Sequence, residues 1–541
     1  MEKRNLFQSL FFSAAGLRKY YRLSLFPLLV PSVFLSGCAG MLGDGVNPLS
    51  SVAAEVAFEQ HEIVTGRAKH QTVLTGFLFG GNFAEIVVVG IDGNDNRSLR
   101  IYAFDNNTWR LRLDTPLRRE VLCVDVANIN GRDRLITYER GRLNWFDPES
   151  EMEHTLVRVP SMTPPPSRGV PHVDITHDVN GDARDDLVVP DTDGFWVFIQ
   201  TTSGAFADPV KLGATTQRDT LYDVKAYRYN PWEQSRIHEI DYNRDGRNDL
   251  VFWNGDHFAV HHQDKHGLFD PVPTTFTTDV AFDADDLTSL AAPYGIRRRR
   301  RDYQPTGNLT GRVLHTLTDM NGDGVADLGV FSLKGGSLWH MHATYEVYFG
   351  TPTPNGDTAF APNADTALDL NGIPYLMEQH DFGHGGKSVM VFAAVIKPSV
   401  FRVARMLVRG VLTGAVSLDI EFYRMAGGSY PDAPNAVRKV KLYPGDKTGE
   451  RSVLSSVLIG DVNGDKRADL LVQHAPKILH VFRGVPGPDV FAKKPQKIAV
   501  ATPFDERHIW LADLNTDAKQ DVLVYHPSTI EPHRVTLLIA R

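Results

Sequence analysis

Five short segments of this 541-residue chain place oxygen-bearing side chains at the same four positions, 1, 3, 5 and 9. The first is Asp178, Asn180, Asp182 and Asp186, and the second is Asp241, Asn243, Asp245 and Asp249. The third is Asp319, Asn321, Asp323 and Asp327, the fourth Asp461, Asn463, Asp465 and Asp469, and the fifth Asp513, Asn515, Asp517 and Asp521. Calcium takes six to eight hard oxygen ligands at about 2.3–2.6 Å. In a tight loop, side chains 1, 3 and 5 point inward together. The carbonyl of residue 7 (Arg184, Arg247, Val325, Arg467 or Lys519) adds a ligand and the acid at 9 closes the set. Three carboxylates within nine residues repel one another unless a cation lies between them. The expectation is calcium, about five ions. Turn-forming Asp, Asn and Gly residues in plain hairpins are the alternative.

An EF-hand needs a glutamate at position 12 and flanking helices. Position 12 here is Val189, Phe252, Val330, Val472 or Val524, each in an apolar run such as Leu187-Val188-Val189 or Leu470-Leu471-Val472. These runs read as strands, so each loop joins two strands. The repeat resembles the FG-GAP or VCBS repeat family, whose members are blades of integrin-α-like propellers. The resemblance implies a strand, the acidic loop, then further strands that often end in Phe-Gly. Tyr348-Phe349-Gly350 has that pair, and Phe422-Tyr423-Arg424 and Phe482-Arg483-Gly484 stand in corresponding places.

Weaker copies begin at Phe77, Asp125 and Asp381 and are expected to hold no calcium. The fold class is therefore all-β, a β-propeller of four-stranded blades, with eight blades favoured and seven as the alternative. The last copy lacks a fourth strand. A segment near 55–58 or 62–64 is expected to supply it and close the ring, which removes free sheet edges.

Residues 1–38 carry Lys3, Arg4, Arg18, Lys19 and Arg22 before a short apolar run, which reads as an export signal too short to span a bilayer. Leu35-Ser36-Gly37-Cys38 is similar to the bacterial lipobox. That resemblance implies cleavage before Cys38, its lipidation, and anchoring to the cell envelope. Ala39 following it favours the outer membrane. Residues 39–52 read as a flexible tether and 53–541 as the propeller. Net charge is −8, and the first 38 residues contribute +4, so the remainder carries −12. Such a surface is a poor match for a phosphate backbone, and nucleic acid is not an expected partner. The second cysteine, Cys123, lies in an apolar run and reads as a buried hydrophobe.

Residues 399–411 read as an inserted amphipathic helix with Val400, Ala404, Leu407 and Val411 on one face and Arg402, Arg405 and Arg409 on another. The basic face is either solvated or a membrane or partner contact. Arg297–Arg301 reads as a solvated loop or an anion-docking site. No catalytic motif of the usual hydrolase, zinc or phosphate-binding kinds occurs. His340 and His342, and the adjacent His261 and His262, are the histidines in suggestive positions. Three functions remain open. One is a monomeric binding or scaffold module for a protein or glycan. Another is an enzyme acting on envelope polysaccharide through the propeller channel. The third is an envelope assembly factor that touches the membrane through the 399–411 helix.

Overall fold

Continuous apolar runs need cover on both faces, and the fold supplies it by packing sheet against sheet. The computed structural model describes residues 55–161, 169–191, 194–213, 228–229, 237–282, 311–334, 342–354, 357–370, 376–381, 388–393, 416–442, 456–475, 477–487, 489–503 and 508–541. The export segment with Cys38, the tether, Arg297–Arg301, His340 and the 399–411 segment with Arg402, Arg405 and Arg409 lie outside these residues.

Strands account for all the named elements among the described residues. The first sheet pairs His70–Gly76, Glu85–Ile91, Arg97–Asp105 and Thr108–Pro116 in that order, each antiparallel to the next. The same meander recurs along the chain. It ends in a closing sheet ordered Phe58–Gly66, His533–Ala540, Asp521–His526, Ile509–Ala512. The early strand Phe58–Gly66 pairs with the last one from Phe58↔Ala540 to Gly66↔His533, so the two ends of the chain share a sheet. This is the closure expected from the missing fourth strand.

Alternate residues of each second strand face opposite neighbours. Ile86 and Val88 join the core shared with the closing sheet, whereas Val87 and Val89 join the core shared with the second sheet. Leu187 and Val189 face the second sheet and Val188 the fourth. Val522 and Val524 face the seventh sheet, and Leu523 and Tyr525 the first. Period-two alternation, applied to a sheet covered on both sides, reads as an unbroken apolar run. Cys123 is buried in one of these seams, between the second and third sheets.

The sheets thus follow one another round a β-propeller. Among the described residues seven of these sheets have four strands, the number of the alternative reading. A further member, second in chain order, has six. Its meander Cys123–Ile129, Arg132–Glu139, Arg142–Asp147, Met152–Arg158 is extended at the inner edge by His172–Val173 and Arg228–Tyr229. Both added strands pair parallel, unlike the antiparallel pairs elsewhere in the described sheets. Nothing in the sequence pattern announced this insertion.

The closing strand gives a first prediction. A chain beginning at residue 67 should melt at least ~10 °C below one beginning at 53, because a paired strand and its share of two cores are lost. Differential scanning calorimetry of the two chains checks this.

Candidate functional site: the acidic rim loops and the axial cavity

In all five intact copies the residue before position 1 pairs with position 9, as in His177↔Asp186, Ile240↔Asp249, Thr318↔Asp327, Gly460↔Asp469 and Ala512↔Asp521. Eight residues therefore form each loop. Positions 4 and 6 have positive φ in every copy, including non-glycines Arg244 (60°), Thr516 (56°) and Ala183 (63°). That left-handed backbone is costly for such residues and needs compensation.

Side-chain oxygens supply it. The position-1 carboxylate accepts from the amides of the turn: Asp178 takes Gly181 N at 2.8 Å, Asp182 N at 3.0 Å and Ala183 N at 2.8 Å. Asp319 takes Gly322 N, Asp323 N and Gly324 N in the same way. The position-3 Asn Oδ1 accepts from the amide of position 5, at 2.8 Å in both the Asn321 and Asn463 loops. The position-5 Oδ1 accepts from the amide of position 7.

The acid at 9 is fully buried in all five copies. In four of them one oxygen accepts from the amide of position 2, and the other from an amide at or just past the end of the sheet's third strand. Asp521 shows both, with Leu514 N at 2.9 Å and Ala540 N at 2.7 Å. Asp469 uses Val462 N and Gly484 N, Asp186 Val179 N and Gln200 N, and Asp327 Met320 N and Gly350 N. Asp249 takes Gln263 N at 2.9 Å and faces His262 Nδ1 at 3.1 Å instead. Burial raises these carboxyls: Asp186 to about 7, and Asp327, Asp469 and Asp521 to about 6. The amides pull the other way, and the like charges at positions 5 or 1 add to the rise.

The eroded first copy keeps only this anchor. Glu85 Oε2 accepts from Leu78 N at 2.7 Å and Phe79 N at 3.2 Å, and Gly76 pairs with Glu85. The disturbed second copy has collapsed to a tight hairpin through Asn130 and Gly131, both with positive φ. For the copy beginning at Asp381, the residues between its two strands lie outside those described.

Neighbouring loops are stitched together. Phe77 N donates to Asp133 Oδ2 and Asn128 N to Asp185 Oδ2, from one sheet to the next. Gln200 Nε2 donates to Asn128 O and Gln263 Nε2 to Asn180 O. Gln520 N reaches Asp461 O, and Ala84 N reaches Leu514 O. Gln200 and Gln263 escaped the sequence reading, because nothing in their local pattern marks them as clamps.

All loop donors are hard oxygens, the type calcium requires. Among the described residues no three of His, Cys, Asp and Glu are gathered tightly enough to hold a metal by themselves. A metal held in one of these loops would need the Asn oxygen and a backbone carbonyl besides the carboxylates. Four loops also hold an internal cation on the position-5 acid: Arg184 on Asp182, Arg247 on Asp245, Arg467 on Asp465 at 2.8 Å and Lys519 on Asp517 at 3.5 Å. The third loop has Val325 there and no such neutralisation.

A second feature lies at the ring axis. A cavity of about 240 Å³ is walled by inner strands of the closing, first and second sheets. Gln71, Asp125, His172, Asp174, Trp510 and Tyr525 are among its lining. Asp125 is buried, and its oxygens take His172 Nε2, Val126 N, Ile175 N and Thr176 Oγ1, each at 2.8 Å. Of the sequence-selected histidines, His261 bonds the Asp270 carbonyl and His342 lies 3.5 Å from Asp369. Neither belongs to this cavity.

No protein-family model matches the chain, and no curated protein matches its sequence. Solved structures similar to it include an Agrocybe aegerita lectin, described for specific recognition of non-reducing terminal N-acetylglucosamine. It is 13% identical with a TM-score of 0.35, over 79% of this chain and 92% of that one. The V. cholerae biofilm matrix protein Bap1 is 12% identical with a TM-score of 0.25, over 87% and 76%. The WD40 domain of SCAP from fission yeast is 10% identical with a TM-score of 0.25, over 89% and 98%.

The first copy carries the Glu85 anchor without the other acids of the loop. Glu85→Ala should lower unfolding free energy by about 1–3 kcal/mol, since two buried amides lose their acceptor. The loss should be equal in calcium and in chelator, whereas Glu85→Gln should recover much of it. Urea titrations of the three chains in both buffers check this.

Proposed function

We propose that the chain is a calcium-stabilised binding or scaffold module of the FG-GAP/VCBS type, held at the cell envelope through lipidated Cys38. Its partner is a protein or a glycan. The observation that carries the reading is the third loop, where Asp319, Asn321, Asp323 and Asp327 stand with no basic side chain among them. An uncompensated group of this kind favours a divalent cation. In the other four loops calcium has to displace an arginine or lysine from the position-5 acid, so binding there is weaker. Stitched loops on a closed ring give a rigid rim on which a partner can be held. The alternative, an enzyme acting on envelope polysaccharide, calls for axial carboxylates from several sheets. Asp125 and Asp174 both come from the second sheet and its insertion, which favours binding over hydrolysis.

Native-state calcium binding adds ~2.7 kcal/mol per site at 100-fold saturation. The melting temperature should rise in millimolar calcium relative to chelator. Asp323→Ala should remove the tightest site seen by calorimetric titration, and Asp465→Ala a weaker one. Equal melting curves in calcium and chelator would overturn the metal reading. Capture of partners from envelope extract, in calcium against chelator, tests the binding reading, which fails if nothing is retained in either.

The response should also depend on pH. In the metal-free chain Asp186, Asp327, Asp469 and Asp521 have folded pKa values of about 6–7, above the ordinary 3.8. Their contribution is therefore fully present below about pH 4 and lost as pH rises through 6–7. Calcium favours the ionised carboxylates. The gap in melting temperature between calcium and chelator should widen from pH 5.5 to pH 8. Buried histidines such as His238, held neutral by burial with a pKa of about 4, affect both buffers alike.

A further inference from the structure

We propose that the outer edge of the seventh sheet is a docking surface for anionic phospholipid, kept against the bilayer by the chain's own anchor. This rests on the envelope-anchored reading above and deepens it, because it assigns the side of the ring that meets the membrane. The seventh sheet runs outward from the axis as Val457–Gly460, Asp469–Ala475, Ile478–Phe482 and Gln496–Ala499. Lys493 and Lys494 lie just before its outermost strand and Lys497 lies on it, and all three are exposed.

These lysines crowd one edge of a chain that is acidic overall. Lys493 reaches Asp489 at 3.6 Å, an exposed pair that is weak enough to yield to a surface of many phosphates. On the side of the sixth sheet Arg438 adds a fourth cation. Its Nη2 donates to the carbonyls of Phe491 and Ala492, directly before the lysines. Ala492 N donates to Arg483 O at 2.7 Å, so the backbone that leads into the lysines is tied to two strands. Against the four cations stand Asp489 and, where the chain enters the ring, Glu55, both exposed. The edge keeps a net positive charge.

The same strand holds the entry of the chain. Gln496 Oε1 accepts from Val56 N at 2.8 Å, and Gln496 Nε2 donates to Val56 O at 2.6 Å. Val56 is buried in the core shared by the seventh and closing sheets. The tether therefore departs from the strand that carries the lysines. As a flexible chain, residues 39–55 span roughly 20–25 Å. Lipidated Cys38 at their far end keeps this edge within reach of headgroups. So short a tether gives an effective concentration in the millimolar range, and weak contacts then suffice. Each lysine close to an anionic surface strengthens partitioning about fivefold. Acyl chains and a basic patch thus act as two signals for one membrane. The acidic rim loops are repelled by the same headgroups, so the ring stands on its edge and leaves the rim open to a partner.

The test uses the mature chain with Cys38→Ser, which carries no acyl group and reads the patch alone. Its flotation is measured in millimolar calcium with phosphatidylcholine vesicles, with and without phosphatidylglycerol. Binding should be at least tenfold stronger to the anionic vesicles and should fall as salt is raised. Changing Lys493, Lys494 and Lys497 together to Gln should weaken it at least twentyfold, with the melting curve unchanged. Changing Lys69, Lys265 and Lys334, exposed lysines elsewhere on the ring, alters net charge equally and should cost less than threefold. No binding to anionic vesicles, equal binding to neutral ones, or equal losses in the two triple variants would overturn the proposal. If it falls while the acylated chain still fractionates with the envelope and melts higher in calcium, the module reading stands. An acylated chain found outside the envelope fraction sinks that reading instead.

Discussion

A buried carboxylate at the ninth position of each rim loop is the constraint on which the structure turns. It has no exposure to water, yet it stands within reach of two other acids. Its cost is offset by charge-assisted bonds to backbone amides from two places, the start of its own loop and, in most copies, the end of a later strand. One side chain thereby ties three strands of a sheet at the same rim. Glu85 makes the same tie to its loop amides in a copy that lacks the other acids.

From that anchor the rest follows outward. With the loop backbone fixed, positions 4 and 6 are held in the left-handed region even for threonine and arginine. The ordered loop then presents its carbonyls and amides to the next sheet, and clamps such as Gln263 on Asn180 O carry order round the ring. The sheets need this registration. Each second strand divides its side chains between two neighbouring cores, so a shift in one sheet disturbs both.

Much of this was legible in the chain. The nine-residue spacing, the hairpin nature of the loops, the doubly buried runs and the closing strand near residues 58–66 could all be read locally. Local reading works for them because period, turn chemistry and an unmatched last strand are properties of neighbouring residues. The residues it passed over act at long range. Asp125 appeared only as the start of a disturbed repeat, although its carboxylate serves His172, 47 positions away. Gln200 and Gln263 looked like ordinary strand-end polar residues, and their role exists only because an adjacent sheet exposes a carbonyl to them. The spacing points only to the carbonyls of the basic residues at position 7. In the structure four of their side chains return to the acid two positions earlier.

The sequence alone determined the repeating unit, because a loop of Asp, Asn and Gly between two apolar runs has few ways to satisfy its amides and bury its strands. It also determined that the ends must meet, since one sheet was a strand short. Only the tertiary structure decided which loops neutralise themselves and which one does not, how neighbouring loops are stitched, and what stands at the axis. Those outcomes depend on side-chain direction and on contacts between sheets distant in sequence, where period and composition carry no information.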